Sequence, residues 1–290
     1  MLLRRVRDTR EDAEAVRAVA AAGAGETAGT GADGTAADRP ALRRRVVRHL
    51  AGTDPEGCWL AEDAAGRPVG AALAARRDTL WGLTLLAVAP EARGKGVGTE
   101  LVRHVLGYAR GTLRGMACAG DHPAAARVLR GAGFTLHPLM TLSGTVDGSR
   151  LTVPDGPAIE GGPAQRDLMD SVDRRLRGSA HGPDHDELLR HCRVVVADDL
   201  AGSGYCYLDA DSGGVELLAA TSRRIAVRLL ASALLSLPPG TAATVPRLTT
   251  EQEWALDVGL AAGLALRTDG FLCLRGMRPP RPYIPSAYFQ

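Results

Sequence analysis

The sequence predicts an α/β chain, a mixed α+β sheet built twice in tandem. Three observations carry this. Apolar runs of strand character alternate with stretches of helical apolar spacing along all 290 residues. In the first half, Leu85 to Val102 reads LLAVAPEARGKGVGTELV: an apolar run ending at Val88, a glycine-rich turn, then a helical pattern through Val97, Leu101, Val102, Val105 and Leu106. The element order then recurs. The helix end Gly131-Ala132-Gly133-Phe134-Thr135-Leu136 has a counterpart in Ala261-Ala262-Gly263-Leu264-Ala265-Leu266, and each leads into a strand.

Taken in order, Thr9 to Ala21 has helical spacing through Ala13, Val16 and Val19, with Thr9 or Asp12 as cap. The stretch from Ala21 to Pro40 is poor in bulky apolar residues and reads as a mobile loop. Its Gly23-x-Gly25 is no nucleotide fingerprint, because no strand precedes it. Pro40 to Leu50 reads as a helix, and Cys58 to Ala61, Val69 to Ala74 and Trp81 to Val88 as strands. After the central helix come a strand over Leu113 to Ala119, a helix within Asp121 to Phe134, and a strand through Leu136, Met140 and Leu142 that closes the unit.

The second half repeats this more weakly. Helices are expected over Ala164 to Leu176 and Asp184 to His191, and strands over Arg193 to Ala197, Tyr205 to Leu208 and Val215 to Ala219. A helix over Ser222 to Leu235, a strand over Ala243 to Leu248 and a helix over Thr250 to Ala262 follow. Thr249 or Thr250 caps the last, with Glu253 placed for a capping box. The expected division is 1–147, a Gly- and Pro-rich linker 148–162, a second unit 163–277, and an extended tail 278–290.

Composition narrows the function. A chain 45% hydrophobic and 23% charged is globular, and a net charge of +2 argues against a nucleic-acid binder. The arginine clusters Arg4 to Arg10 and Arg43 to Arg48 read as solvated helix faces. No apolar run is long enough to span a membrane, and MLLRRVRDTR is not a signal peptide. The 5 cysteines form no C-x-x-C pair, so a reduced cytoplasm fits best.

The turn after Val88 carries the chemistry. Glycines let a ligand approach the backbone, and the first helical turn offers unpartnered N–H groups at the positive end of the helix dipole. Such a place suits a phosphate or pyrophosphate. It is not a Walker A loop, since no Gly-Lys-Ser/Thr closes it, and the spacing of Gly94, Gly96 and Gly98 is not G-x-G-x-x-G. It does match R-x-x-G-x-G through Arg93, Gly96 and Gly98, directly after a strand and a proline. This resembles the acyl-CoA pyrophosphate loop of the GNAT acyltransferase superfamily, and the element order is similar to the GNAT fold from near residue 1 to about residue 145. A second marker is Asp121-His122-Pro123 leading to Gly133-Phe134, where the family often has Asn-Pro-x-Ala and Gly-Phe. In the second half, Ala220-Thr221-Ser222-Arg223-Arg224 has no glycine pair, so that copy is degenerate and cofactor is expected only in the first.

The resemblance implies acetyl-CoA, or another acyl-CoA, as co-substrate and direct acyl transfer to an amine. Arg93, Gly94, Lys95, Gly96, Val97, Gly98 and Thr99 would hold the pyrophosphate. The strand edge at Leu86, Ala87 and Val88 would bond the pantetheine, and the N–H of Ala87 or Val88 would polarise the thioester carbonyl. Many members place a tyrosine, the acid for the thiolate, where this chain has Leu129. The usual asparagine position is His122, which is a candidate acid, base or pantetheine partner. Asp121 beside it would attract a cationic amine or orient the imidazole. The plain reading of the pair is a helix cap, with Asp121 capping and His122 an exposed neighbour. No glutamate stands in Trp81 to Leu85, where members often keep a base.

Two further stretches matter. His181 to Asp186, with His191 and Cys192, has zinc-type ligands but reads as a loop entering a helix capped by Asp184, so no metal site is expected. Asp173 to Gly178 and His181 are candidates for the acceptor pocket. The tail from Arg278 to Gln290 cannot be a regular element. It either straps the domain interface or, as in some tandem relatives that use a terminal carboxylate as base, brings Tyr288 to Gln290 into the first cleft. The expectation is a cytoplasmic monomer or homodimer that acylates a small-molecule or protein amine, or a hydroxyl, with a non-catalytic acyl-CoA-binding or regulatory protein as the alternative.

Overall fold

The computed structural model describes residues 1–24, 40–209 and 211–290. The first half runs β1 (Leu2–Arg5), α1 (Arg10–Ala24), α2 (Pro40–Thr53), β2 (Cys58–Glu62), β3 (Pro68–Arg77), β4 (Leu80–Val88), α3 (Val97–Tyr108), β5 (Arg114–Ala119), α4 (Pro123–Gly131) and β6 (Thr135–Thr145). The second runs β7 (Ile159–Glu160), α5 (Arg166–Arg177), α6 (Asp184–Leu188), β8 (Arg193–Asp199), β9 (Gly202–Asp209), β10 (Gly214–Ala220), α7 (Arg223–Leu235), β11 (Ala242–Leu248), α8 (Glu253–Ala261) and β12 (Ala265–Arg275). The two lists are the same list, so the repeat read from the helix ends extends to every element. No helix among the described residues is long and apolar enough to cross a membrane.

The loop expected from Ala21 is helical as far as Ala24, and the rest of it up to residue 39 lies outside the described residues. Where no strand was expected, Leu2–Arg5 pairs antiparallel with Trp59–Glu62. Its arginines are not a helix face. Arg4 is held between Asp12 at 2.7 Å and Glu62 at 2.6 Å. The stretch 148–162 is likewise not all linker, because Ile159–Glu160 pairs with Val195 and Val196 of β8. Ser222 caps α7 by accepting from Ile225 N–H. Thr249 makes no such bond, and a short 3-10 turn over Thr250–Gln252 opens α8 instead of a capping box.

All the strands join one sheet in the order β1-β2-β3-β4-β5-β12-β6-β11-β10-β9-β8-β7. The strand expected to close the first unit does not. β6 touches β12 and β11, while β12 lies between β5 and β6. Each half has lent its last strand to the other. Register shows how firmly: Leu272 stands opposite both Cys118 of β5 and His137 of β6. A pattern of apolar residues marks β6 as a strand but does not say which edge it will pair with. The intervals 1–147 and 163–277 therefore describe a repeat in sequence, whereas the sheet interleaves the two copies.

Helices cover both faces. On one face, α3 and α4 close over Trp81, Leu83, Leu101, Val105 and Phe134, and α7 and α8 over Leu218, Leu229, Val245 and Trp254. On the other face a single core holds Val16 and Val47 of the first half together with Met169, Tyr205 and Tyr207 of the second. A buried polar knot ties the halves beside it. Arg77 donates to Asp54 at 2.8 Å and to Asp184 at 2.6 Å, and His49 meets Asp184 at 2.8 Å. Asp184 is thus a bridge between halves, and it makes no side-chain cap on α6.

Candidate active site

The site begins where β4 leaves β5. The two pair in parallel from Leu80↔Arg114 to Leu83↔Ala117 and no further. Beyond Leu83 the sheet opens, and a groove of about 900 Å³ fills the gap between the end of β4 and helices α3 and α4. Backbone pairing decides which donors face it. Ala89 N–H donates to Val69 O at 2.9 Å, and Ala71 and Ala72 stand opposite Ala87 and Leu86. Bonding alternates along an antiparallel pair. Ala87 therefore spends its N–H on β3, and the N–H groups of Leu86 and Val88 point to the open side. Of the two backbone donors read from the sequence, Ala87 is thus occupied by β3, whereas the Val88 N–H faces the open side.

At the C-terminal end of β4 the turn is built from glycines in left-handed conformation: Gly94 at φ +73° and Gly96 at φ +81°. A side chain at either would be strained. Neither has an atom within 4 Å of where a Cβ would stand, so the space before them is open. Gly96 caps α3 with no side chain of its own, and the first helical bond is Glu100 N–H to Gly96 O at 3.0 Å. The N–H groups of Gly96 to Thr99 precede that bond and have no backbone partner among the described residues, so they can bind a ligand.

Leu86, Ala87, Val88, Arg93, Gly94, Gly96, Val97, Gly98, Thr99 and His122 all line the groove. Lys95 does not: it is exposed beside it. Asp121 does not either. It is exposed, and the helix cap is His122, whose Nδ1 accepts Ala124 N–H at 3.1 Å. A ring nitrogen that accepts carries no proton, so the proton of the neutral ring is on Nε2. In this arrangement the Nδ1 of His122 is not available as a base. Leu129 is buried at 2% exposure and offers no phenol.

Residues not anticipated from the sequence complete the wall. Arg43, Arg103 and Arg127 join Arg93 there, and among the described residues no carboxylate does. For Arg103 the signal was present, since Thr99, Val102, Arg103 and Leu106 form one stripe of α3 at helical spacing. Arg43 and Arg127 have no local signature. Arg93 also donates to Gly23 O at 2.7 Å, which draws the end of α1 over the groove. Gly23 lies close enough to β4 that a Cβ there would stand 3.4 Å from Val88 O.

The tail is not structureless. Tyr283 and Ile284 form β13, antiparallel to Ala219 and Leu218 of β10. β10 pairs with β11 only at Gly214↔Thr244, so the second half opens as the first does, and the tail fills that opening. The chain then crosses to the first half. Thr84 donates to Tyr288 O at 2.9 Å, and a Cβ on Gly82 would stand 2.7 Å from Gln290. The tail straps the halves, and Tyr288 to Gln290 lie against β4 without lining the groove.

Behind the tail is a buried network. Arg177 donates to Gln290 O at 2.8 Å and contacts His181 Nε2. His181 Nδ1 meets Asp173 Oδ2 at 2.7 Å, and Asp173 also takes bonds from His185 and Tyr205. Burial, and then Arg177, pulls His181 down to about 4, so it is neutral near pH 7. Burial would raise Asp173, but His181 and His185 hold it well below the carboxylate range. Asp173, His181 and His185 place ligand-type atoms together, yet these atoms already bond one another and the Arg177 cation. Their geometry makes them the anchor of the tail. None of them lines the groove.

The acetyltransferase (GNAT) family model matches residues 31–134, which span α2 to the end of α4 and contain the whole groove-forming turn. The match lies wholly within the first half. A candidate acetyltransferase from Pyrococcus horikoshii superposes with a TM-score of 0.72 at 15% identity, over 100% of this chain and 95% of its own. A tandem GNAT protein from the clavulanic acid biosynthesis pathway gives 0.61 at 14% identity, over 96% of this chain and 99% of its own. A GCN5-related N-acetyltransferase from Kribbella flavida gives 0.59 at 20% identity, over 94% and 72%. At these identities the likeness is one of fold: the whole chain has the tandem GNAT fold. No curated protein matches it in sequence.

Proposed function

We propose that this tandem GNAT protein transfers an acyl group, acetyl in the first instance, from acyl-CoA to an amine, at a single site in its first half. The observation that carries this is the coincidence of two features in one groove. The sheet opens beyond Leu83, and the glycine turn with its free N–H groups closes the far end of the same opening. The N–H groups of Gly96 to Thr99, with Arg93, Arg103 and Arg127 around them, suit a pyrophosphate and a further phosphate. Leu86 and Val88 offer strand-like bonding to the pantetheine amides, and His122 Nε2–H adds a donor from the opposite wall. When bound, the thioester supplies an activated carbonyl, and the N–H groups of Leu86 and Val88 on the open side of β4 are the donors available to stabilise the negative charge that develops on its oxygen.

The second half offers no equivalent. Its strand runs through Ala220-Thr221-Ser222 straight into α7, and β13 occupies the opening. Among the described residues the groove lining holds no carboxylate and no phenol, so none of these side chains is a general base there, and a thiol of pKa about 8.5 can leave without an acid. That same lack favours the alternative, an acyl-CoA binder without turnover. A thiol-release assay with acetyl-CoA and a panel of amines separates the two. Turnover with any amine supports transfer, whereas tight acetyl-CoA binding with no thiol release across the panel means a binder.

A further inference from the structure

At the inner end of the groove lies a second, smaller chamber of about 170 Å³. It shares Ala20, Arg43 and Leu85 with the groove, so the two meet. The junction is at Leu85, just past the point where β4 parts from β5. With phosphates at Gly96 to Thr99 and a pantetheine running back along Val88 and Leu86, the thioester stands at this junction. The chamber is then on the acceptor's side.

Two observations say what it takes. Its walls are mostly aliphatic: Val16, Val46, Val47 and Leu73 are all buried, Arg17 and Thr84 add polar groups, and no carboxylate is among the described lining residues to hold a cationic ammonium. At its mouth stands Arg43, half-buried, with no hydrogen bond or ion pair among the described residues. Its neighbours all find carboxylates: Arg17 and Arg44 meet Glu14, and Arg45 meets Glu187. A guanidinium held at the rim of an apolar chamber without a counter-ion is a receptor for a carboxylate, whose geometry its fork matches. The volume, roughly six water molecules at about 30 Å³ each, suits a short aliphatic body.

We infer that the acceptor is a small aliphatic amine that also bears a carboxylate, an α-amino acid of the leucine or valine type. Arg43 fixes its carboxylate, and the chamber takes its side chain. This rests on the acyl-transfer reading above. The amine nitrogen bonds to the thioester carbonyl carbon, the carbon–sulfur bond breaks, the nitrogen gives up its proton to solvent, and CoA leaves as thiolate and is protonated by solvent. Arg43 takes no part in those bonds and sets specificity.

The test is steady-state thiol release from acetyl-CoA with L-leucine, leucinamide and 3-methylbutylamine. The wild-type chain should prefer leucine by about tenfold or more in kcat/KM, because a site built for a charged group rejects analogues that lack it. Arg43→Met should erase that preference mainly by raising the leucine KM, and Arg43→Lys should restore part of it. Equal turnover of the three amines by the wild type, or an unchanged preference in Arg43→Met, overturns the assignment. A calorimetric titration with N-acetylleucine separates this from failure of the transfer reading. If no amine releases thiol, transfer is lost, but the receptor assignment still stands on binding to the wild type and not to Arg43→Met, and falls if both or neither bind.

Discussion

Thr84 Oγ1 donates to the backbone carbonyl of Tyr288 at 2.9 Å, joining the last residues of the chain to the strand that lines the proposed site. Phe289 sits beside it with its ring edge-on to His49, 5.5 Å between centroids, and is 1% exposed. Phe289→Ala should cost about 3 kcal/mol of stability, the usual loss for a buried aromatic. Thr84→Val should cost about 1 kcal/mol for one hydrogen bond. Urea unfolding measures both, and an unchanged midpoint in Phe289→Ala would mean that the tail is not docked in solution.

Gly96 opens α3 in left-handed conformation with space in front of it. Gly96→Glu adds a strained backbone costing about 1–2 kcal/mol and a negative charge aimed at the phosphate site. Acetyl-CoA affinity should fall by at least about a hundredfold, since like charges at close range cost several kcal/mol, while circular dichroism stays native. Retained affinity would move the cofactor elsewhere.

His122 spends Nδ1 on the Ala124 N–H. His122→Ala should cost about 1 kcal/mol as a lost cap and raise the KM for acetyl-CoA, with the shape of the pH–rate profile unchanged. A pH limb that disappears in the variant would show that His122 does move a proton.

The knot between the halves should respond strongly to Arg77. Its guanidinium is shared by Asp54 and Asp184, both 1% exposed. Arg77→Met leaves two buried carboxylates without their cation, and the expected loss is about 3–5 kcal/mol. Differential scanning calorimetry should show a large drop in Tm, and a loss under about 1 kcal/mol would mean that the carboxylates relax to solvent.

Stability should also depend on pH through His181. Its folded pKa is about 4 against 6.5 for the free side chain. The unfolded chain therefore binds more protons between those values, and stability is full above about 6.5 and falls as pH drops toward 4. The shift corresponds to a loss on the order of 3 kcal/mol. His181→Gln should flatten this part of the curve. A variant that loses stability with the same slope would assign the proton uptake to another group.

Much of this was legible in the sequence, and the omissions have physical causes. The glycine turn was readable because its requirement is local: a positive φ at Gly94 and Gly96 and a helix start at Val97 are properties of a few adjacent residues. The repeat was readable because helix ends recur. The exchange of β6 and β12 was not, since an apolar strand pattern is satisfied by either neighbour. Nor was the tail. Pro282 cannot donate to a ladder, and only the opening beside β10 lets Tyr283 and Ile284 pair as a strand. Arg43 carries no motif and reaches the groove only because α2 packs against α1 and β3.

The central claim is one acyl-CoA site per chain, in the first half. Titration calorimetry of the intact protein with acetyl-CoA measures it directly. The account predicts a stoichiometry of one per chain, abolished by Gly96→Glu. Two sites per chain, none, or one that survives Gly96→Glu would contradict it.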